Sequence, residues 1–129
     1  MSVSKKEILM GRDISHPTEY TQEISDNIDK LLIPINAFRE AYGKPLIVSS
    51  GWRPPSLNAT VKNAAKRSNH QLGLAVDFLD KDGEIDKFCM ENLSLLEELG
   101  LYLEHPDSTN GWCHLQCVAP KSGNRVFKP

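Results

Sequence analysis

The chain has 129 residues, 15 Lys and Arg against 17 Asp and Glu, a net charge of -2 and 40% hydrophobic residues. A single domain of this size buries about two thirds of the surface its unfolded chain exposes, so it holds a core without disulfides or a partner subunit, and a monomer is expected. The near-balanced charge offers no field to steer it onto nucleic acid or an anionic membrane, and no apolar run approaches the roughly 20 residues of a membrane span.

Lys5 and Lys6 are followed by no apolar stretch of signal-peptide length, so no secretion signal is expected. The three cysteines, an odd number on ordinary core segments, fit a reducing compartment better than a disulfide scaffold. After Ser15-His16-Pro17-Thr18, apolar residues at Ile24, Ile28, Leu31, Leu32, Ile35 and Phe38 recur every three or four positions and predict a helix with one buried stripe. Pro34 is expected to kink that helix or split it in two, and Gly43-Lys44-Pro45 to stop it. Leu46 to Ser50, short and β-branched, reads as a buried strand. Trp52-Arg53-Pro54-Pro55 must be loop, because two prolines remove two ladder donors. Ser56 to Val61 is expected as a short helix capped by Ser56, and Lys62 to Asn69 as a polar, basic connection whose Lys62, Lys66 and Arg67 form a solvated face.

Leu74 to Leu79 alternates. Ala75, Asp77 and Leu79 point one way, Leu74, Val76 and Phe78 the other, and Asp80-Lys81-Asp82-Gly83 closes the strand with a turn. From Glu84 to Leu99, Ile85, Phe88, Cys89, Leu93, Leu96 and Leu99 predict one second long helix, ended by Gly100. Leu101 to Glu104 and Trp112 to Val118 read as a hairpin around the loop 105–111. The expected fold is α+β, a small and largely antiparallel sheet packed against two main helices. One domain spans 1–129, with an N-terminal extension over 1–17 and an irregular tail over 119–129.

Three residues of types that bind zinc fall on the ends or faces of these elements: His70, Asp77 and His114. Strand parity sorts them. Asp77 shares its face with the small Ala75, while Val76 and Phe78 turn to the core. His114 shares a face with Gln116, whereas Cys113, Leu115 and Cys117 take the other, which argues against a zinc site built from the cysteines. Gly73, three residues after His70, allows a sharp backbone turn. Two imidazoles and one carboxylate leave a fourth position open, the arrangement of catalytic zinc. Zinc lowers the pKa of its bound water to about 7 and polarises a carbonyl, so amide hydrolysis is the natural chemistry. Taken singly, each residue also fits a surface or satisfied polar group.

The string Ser68-Asn69-His70-Gln71-Leu72-Gly73-Leu74-Ala75-Val76-Asp77 matches all five fixed positions of S-x-H-x-x-G-x-A-x-D. In this it resembles the zinc D-alanyl-D-alanine carboxypeptidase family. Ser49-Ser50-Gly51-Trp52-Arg53 resembles that family's serine-glycine-aromatic-arginine segment, and Trp112-Cys113-His114 its aromatic-x-histidine third ligand. The resemblance covers about Leu31 to Val118. It implies one zinc ion on His70, Asp77 and His114, a peptidoglycan peptide substrate, and either D,D-carboxypeptidase or L-alanyl-D-glutamate endopeptidase action. Compact size and no signal suit a phage or prophage member, an endolysin held in the host cytoplasm before release to the wall, or a virion-associated protein. The hedgehog signalling domain is similar in fold and zinc site, and it implies the alternative of a catalytically silent binding or virion module.

By the same resemblance Arg53 holds a substrate carboxylate or polarises its carbonyl, a role its planar, permanently charged fork suits. Ser68 bonds a ligand or the backbone near the metal, and Trp112 forms a cleft wall or caps the core. Many members carry a glutamate three residues before the last histidine, but here that position is Gly111. Glu104, at the end of its strand, matches the placement in other branches and is expected to be the general base, with Asp107 in reserve. His105 is a weaker oxyanion candidate, because adjacent strand residues face opposite ways. His16 is expected to be solvated, and Cys89 a core residue.

Overall fold

The computed structural model describes residues 2–60 and 68–129. The basic cluster Lys62, Lys66 and Arg67 lies outside the described residues. Helical structure starts earlier than the sequence pattern suggests. Ser4 caps α1 (Lys5–Leu9) in a reciprocal box with Glu7, the serine-to-glutamate spacing that satisfies two orphan donors at once. After α1 and the single turn α2 (Arg12–Ser15), Val3, Ile8 and Leu9 are buried in the core. The stretch 1–17, expected as an extension, is therefore part of the packed body.

Thr21 caps α3 (Gln22–Tyr42), which runs through Pro34 without a break. The expected split does not occur. Proline removes one intrahelical bond and crowds the carbonyl of Lys30, yet Leu31, Ile35 and Phe38 on either side of it have no exposed surface. Burying each such side chain is worth about 1.5–3 kcal/mol, so packing outweighs the lost bond.

The strand of the Leu46–Ser50 segment is β1 (Val48–Ser50), and α4 (Pro55–Asn58) follows. Ser56 does not cap α4: the cap position is Pro54, and Pro55 occupies the first turn, where a missing N–H costs nothing. Ser56 instead donates its backbone N–H and its hydroxyl to the Glu19 carboxylate, at 2.9 and 2.8 Å. A single turn, α5 (Asn69–Leu72), leads into β2 (Ala75–Leu79).

The expected second long helix is two helices, α6 (Glu84–Glu91) and α7 (Leu93–Leu99), broken at Asn92. The break has a local cause. The Asn92 side-chain amide donates to the Phe88 carbonyl at 2.8 Å, offering the backbone an alternative to continuing the helix. Asp80 accepts the N–H groups of Ile85 and Asp86 at 2.9 Å each, which anchors the start of α6.

β3 (Tyr102–Glu104) and β4 (Trp112–Gln116) form the expected antiparallel pair, with a 3-10 turn over Pro106–Ser108 between them. The tail is not irregular throughout: β5 (Val126–Phe127) pairs parallel to β3. An unpaired β3 edge presents donors and acceptors that a neighbouring extended segment can satisfy, and Leu103 and His105 donate to Arg125 and Phe127 at 2.9 and 2.7 Å. The sheet order is β1-β2-β4-β3-β5, antiparallel except for the last pair. The α+β class, with a small and largely antiparallel sheet, is as expected.

The two faces of the sheet divide the labour. Val76, Phe78, Leu103, Cys113 and Leu115 have no exposed surface and share one face by strand alternation. They form one core with Ile28, Leu31, Ile35 and Phe38 of α3 and Leu96 of α7. The opposite face carries Asp77, His114 and Gln116. Restoring the missing donor with Pro34→Ala is expected to stabilise the fold by about 1–3 kcal/mol in urea unfolding, with Gln22–Tyr42 still helical.

Candidate metal centre

The centre is organised by strand register. Asp77 on β2 lies directly opposite His114 on β4, and Ser50 of β1 flanks Asp77 on its other side. Directly opposed residues of an antiparallel pair put their side chains on the same face within contact range. His70 arrives from α5. Ser68 caps that turn by accepting the His70 backbone N–H at 3.1 Å, so the Ser68 oxygen serves the backbone that carries the histidine. Gly73 then reverses the chain at φ +76°, where an added Cβ would lie 2.8 Å from Ile28 Cγ1 and 3.2 Å from the Ile24 carbonyl. Both its conformation and its closeness to α3 demand glycine.

His70, Asp77 and His114 are all buried, and each offers a ligand atom within 4.8 Å of the others. Asp77 Oδ1 receives both rings, His114 Nδ1 at 2.8 Å and His70 Nε2 at 3.2 Å. The far side of each ring is tied down. His70 Nδ1 lies 2.9 Å from the Gly51 carbonyl and His114 Nε2 2.8 Å from Gln116 Oε1. Both partners are acceptors, so each ring keeps a proton on the far nitrogen and turns the other nitrogen to the centre. Two inward nitrogens and a carboxylate oxygen are a donor set suited to zinc.

The electrostatics describe a carboxylate in need of positive charge. Burial alone would raise the pKa of Asp77, but hydrogen bonds from His114 and His70 and their charge hold it well below the ordinary carboxylate range. For His114 burial works downward, and the hydrogen bond and charge of Asp77, followed by Gln116 and Glu104, carry it above the usual imidazole value.

Glu104 is half-buried on β3, and β3 pairs with β4 so that Tyr102 faces Gln116 and Leu103 faces Leu115. Continuing that register sets Glu104 beside His114, on the face that carries Asp77. Burial raises the Glu104 pKa, His114 lowers it, and the charge of Asp77 raises it again. Among the described residues, its carboxylate accepts no hydrogen bond and forms no ion pair. Asp107 is not brought to the centre. It is exposed and lines a different cavity of about 650 Å³, together with Asp80, Asp86 and Thr109. His105 is committed to that side as well: its Nδ1 accepts the Asp107 N–H at 3.1 Å. His16 contacts Ser15 Oγ at 2.8 Å, and Cys89 and Cys113 are free thiols in the core.

Arg53 lies on the loop between β1 and α4, where its backbone N–H donates to the His70 carbonyl at 3.0 Å. Its guanidinium reaches Asn58 Oδ1 at 3.1 Å and Ser50 Oγ at 3.5 Å, and it forms no ion pair among the described residues. Trp112 faces Leu79 across β2 and β4, one step along the strand face from His114.

Two contributors escaped the sequence pattern. Gly51 packs against α1 so closely that a Cβ would lie 2.0 Å from the Ile8 carbonyl, and the same carbonyl accepts the Trp52 N–H at 2.8 Å. The N-terminal helix thereby fixes the carbonyl that orients His70. Phe127 of β5 places its ring edge-on to His114, centroids 6.1 Å apart at 83°. The serine-glycine run hinted at the first, and no local signal marked the second.

The family model described as Peptidase M15 matches residues 3–115. No curated protein and no solved structure matches the chain.

The metal-free protein is expected to lose thermal stability as pH rises through the raised His114 range. The contribution of a protonated imidazole is complete below its ordinary pKa of about 6.5 and gone above the folded-state value. A zinc-loaded sample, with a cation in place of that proton, should show no such loss, and equal declines in the two melting curves would refute the exchange. Gly51→Ala should cost about 3 kcal/mol or more, read by urea unfolding, since backbone meets backbone at the added methyl.

Proposed function

The chain belongs to the peptidase M15 family, and from that premise we propose that it is a zinc peptidase hydrolysing peptide bonds next to D-amino acids in peptidoglycan stem peptides. The observation that carries the reading is the convergence of His70, Asp77 and His114 on one sheet face beside the carboxylate of Glu104, which among the described residues accepts no hydrogen bond. His70, Asp77 and His114 would hold the ion. Zinc in such a site supplies a Lewis acid that polarises a carbonyl and makes water acidic near neutral pH.

The remaining work falls to the chain's own side chains. Glu104 takes the proton of the attacking water as the new carbon–oxygen bond forms, then delivers it to the amine nitrogen as the carbon–nitrogen bond breaks. Burial that raises its pKa brings a carboxylate closer to the range in which it can both accept and return a proton. Arg53, held by Ser50 and Asn58 and without an acidic partner among the described residues, offers its fork to the substrate carboxylate or carbonyl. Trp112 and the Ser68 turn border the same face and contact the peptide.

The second reading, a zinc-containing module of the hedgehog type without catalysis, is favoured by Gly111 at the position where many relatives carry glutamate. Incubation of the zinc-loaded protein with defined muropeptides, followed by mass spectrometry of the fragments, separates the two and names the bond. Glu104→Gln should lower kcat by about 10²–10⁴-fold with zinc content unchanged. Full turnover in that variant would remove Glu104 from the mechanism, and no cleavage by the parent with one zinc bound would favour the silent module.

A further inference from the structure

Gln116 is almost fully buried, 3% exposed, and stands on β4 opposite Ala75 on one side and Tyr102 on the other. Across from it Ala75 has only a methyl to place on that face. The Gln116 amide bridges two partners. Its nitrogen donates to the Val118 carbonyl at 2.8 Å, and its oxygen lies 2.8 Å from His114 Nε2. A backbone carbonyl only accepts, so the nitrogen end of the amide must face Val118 and the oxygen end must face the ring. An amide oxygen also only accepts, so the ring must carry a proton on Nε2.

From this chain of donors and acceptors we infer that Gln116 is a positioning residue for zinc: it pins the His114 proton on Nε2 and so makes Nδ1 the coordinating nitrogen. The inference rests on the zinc reading above and goes beyond it, because it names the residue that holds His114 in its binding tautomer. The same Nδ1 already faces Asp77 Oδ1 at 2.8 Å, so the ring needs no flip to accept the ion. Outer partners that fix a ligand's tautomer are commonly worth 10–100-fold in metal affinity. The Val118 contact matters too, since it prevents the amide from turning its nitrogen toward His114.

The test uses the full chain, stripped with chelator and reloaded with zinc. In the zinc-loaded parent, ring nitrogen spectra should place the remaining His114 proton on Nε2. Chelator competition should show zinc binding weakened about 10- to 100-fold in Gln116→Leu. Gln116→Glu, which keeps an acceptor at the same reach, should recover most of that loss. A proton found on Nδ1 in the loaded parent overturns the inference, as does a Gln116→Leu variant that binds zinc as tightly as the parent. Equal weakening in the Leu and Glu variants overturns it as well, because the acceptor would then not be the cause. Should Gln116→Leu fail to fold, the parent spectrum and the Gln116→Glu affinity still decide. A parent that binds no zinc at all refutes the metal reading itself and this inference with it, an outcome distinct from zinc bound through the other nitrogen.

Discussion

A carboxylate buried at the middle of a sheet is the constraint around which this molecule is arranged. Asp77 sits on β2 with strands on both sides, 9% exposed, where an isolated negative charge is costly. Two imidazoles answer it through one oxygen. Hydrogen bonds and charge from the two rings hold the Asp77 pKa down, and Asp77 in turn raises that of His114. Removing a single member of such a group leaves the others uncompensated, which costs far more than the group contributes as a whole. The stability of the fold and its capacity to hold a metal are thus written into the same three side chains.

Orientation is supplied from further out, by elements remote in sequence. α1 fixes the Gly51 backbone through Ile8, the Gly51 carbonyl fixes His70, and Gly73 lets α5 nest against Ile24 and Ile28 of α3. On the other side Gln116 holds His114, and β5 lays Phe127 against its ring. Each histidine therefore has a hydrogen-bond acceptor behind it and packing around it. Side chains held this way would lose little freedom on binding an ion, which is what a metal site requires of its proposed ligands.

Much of this was legible because strand parity is a strict rule. Alternation alone put Asp77 with Ala75 and His114 with Gln116, and kept Cys113 on the core side, because the side-chain period of a strand is two. The buried stripe of α3 was equally plain. What escaped depended on contacts that no local pattern records. Whether Pro34 splits a helix is decided by the core on which Leu31, Ile35 and Phe38 rest, not by proline itself. Asn92 broke α6 from α7 through one side-chain bond to Phe88 that competes with an otherwise unbroken apolar period. Residues 126 and 127 are too short a run to announce a strand, and became one only because the β3 edge was there to pair with.

That last pairing bears on the proposed base. Glutamate three residues before the final histidine would sit on the 105–111 connection, whereas Glu104 belongs to a strand. Its neighbours Leu103 and His105 donate to Arg125 and to Phe127 of β5, at 2.9 and 2.7 Å, while the other edge of β3 is held by β4. The backbone on either side of Glu104 is thus clamped, and the aim of its carboxylate depends on side-chain rotamers alone. Gly111 puts no carboxylate three residues before His114, and the proposed base lies instead on a backbone paired along both edges, β4 on one side and β5 on the other. The C-terminal segment then does more than cover an edge: by pinning β3 and facing His114 with Phe127, it holds the proposed base and one proposed ligand in fixed relation to each other.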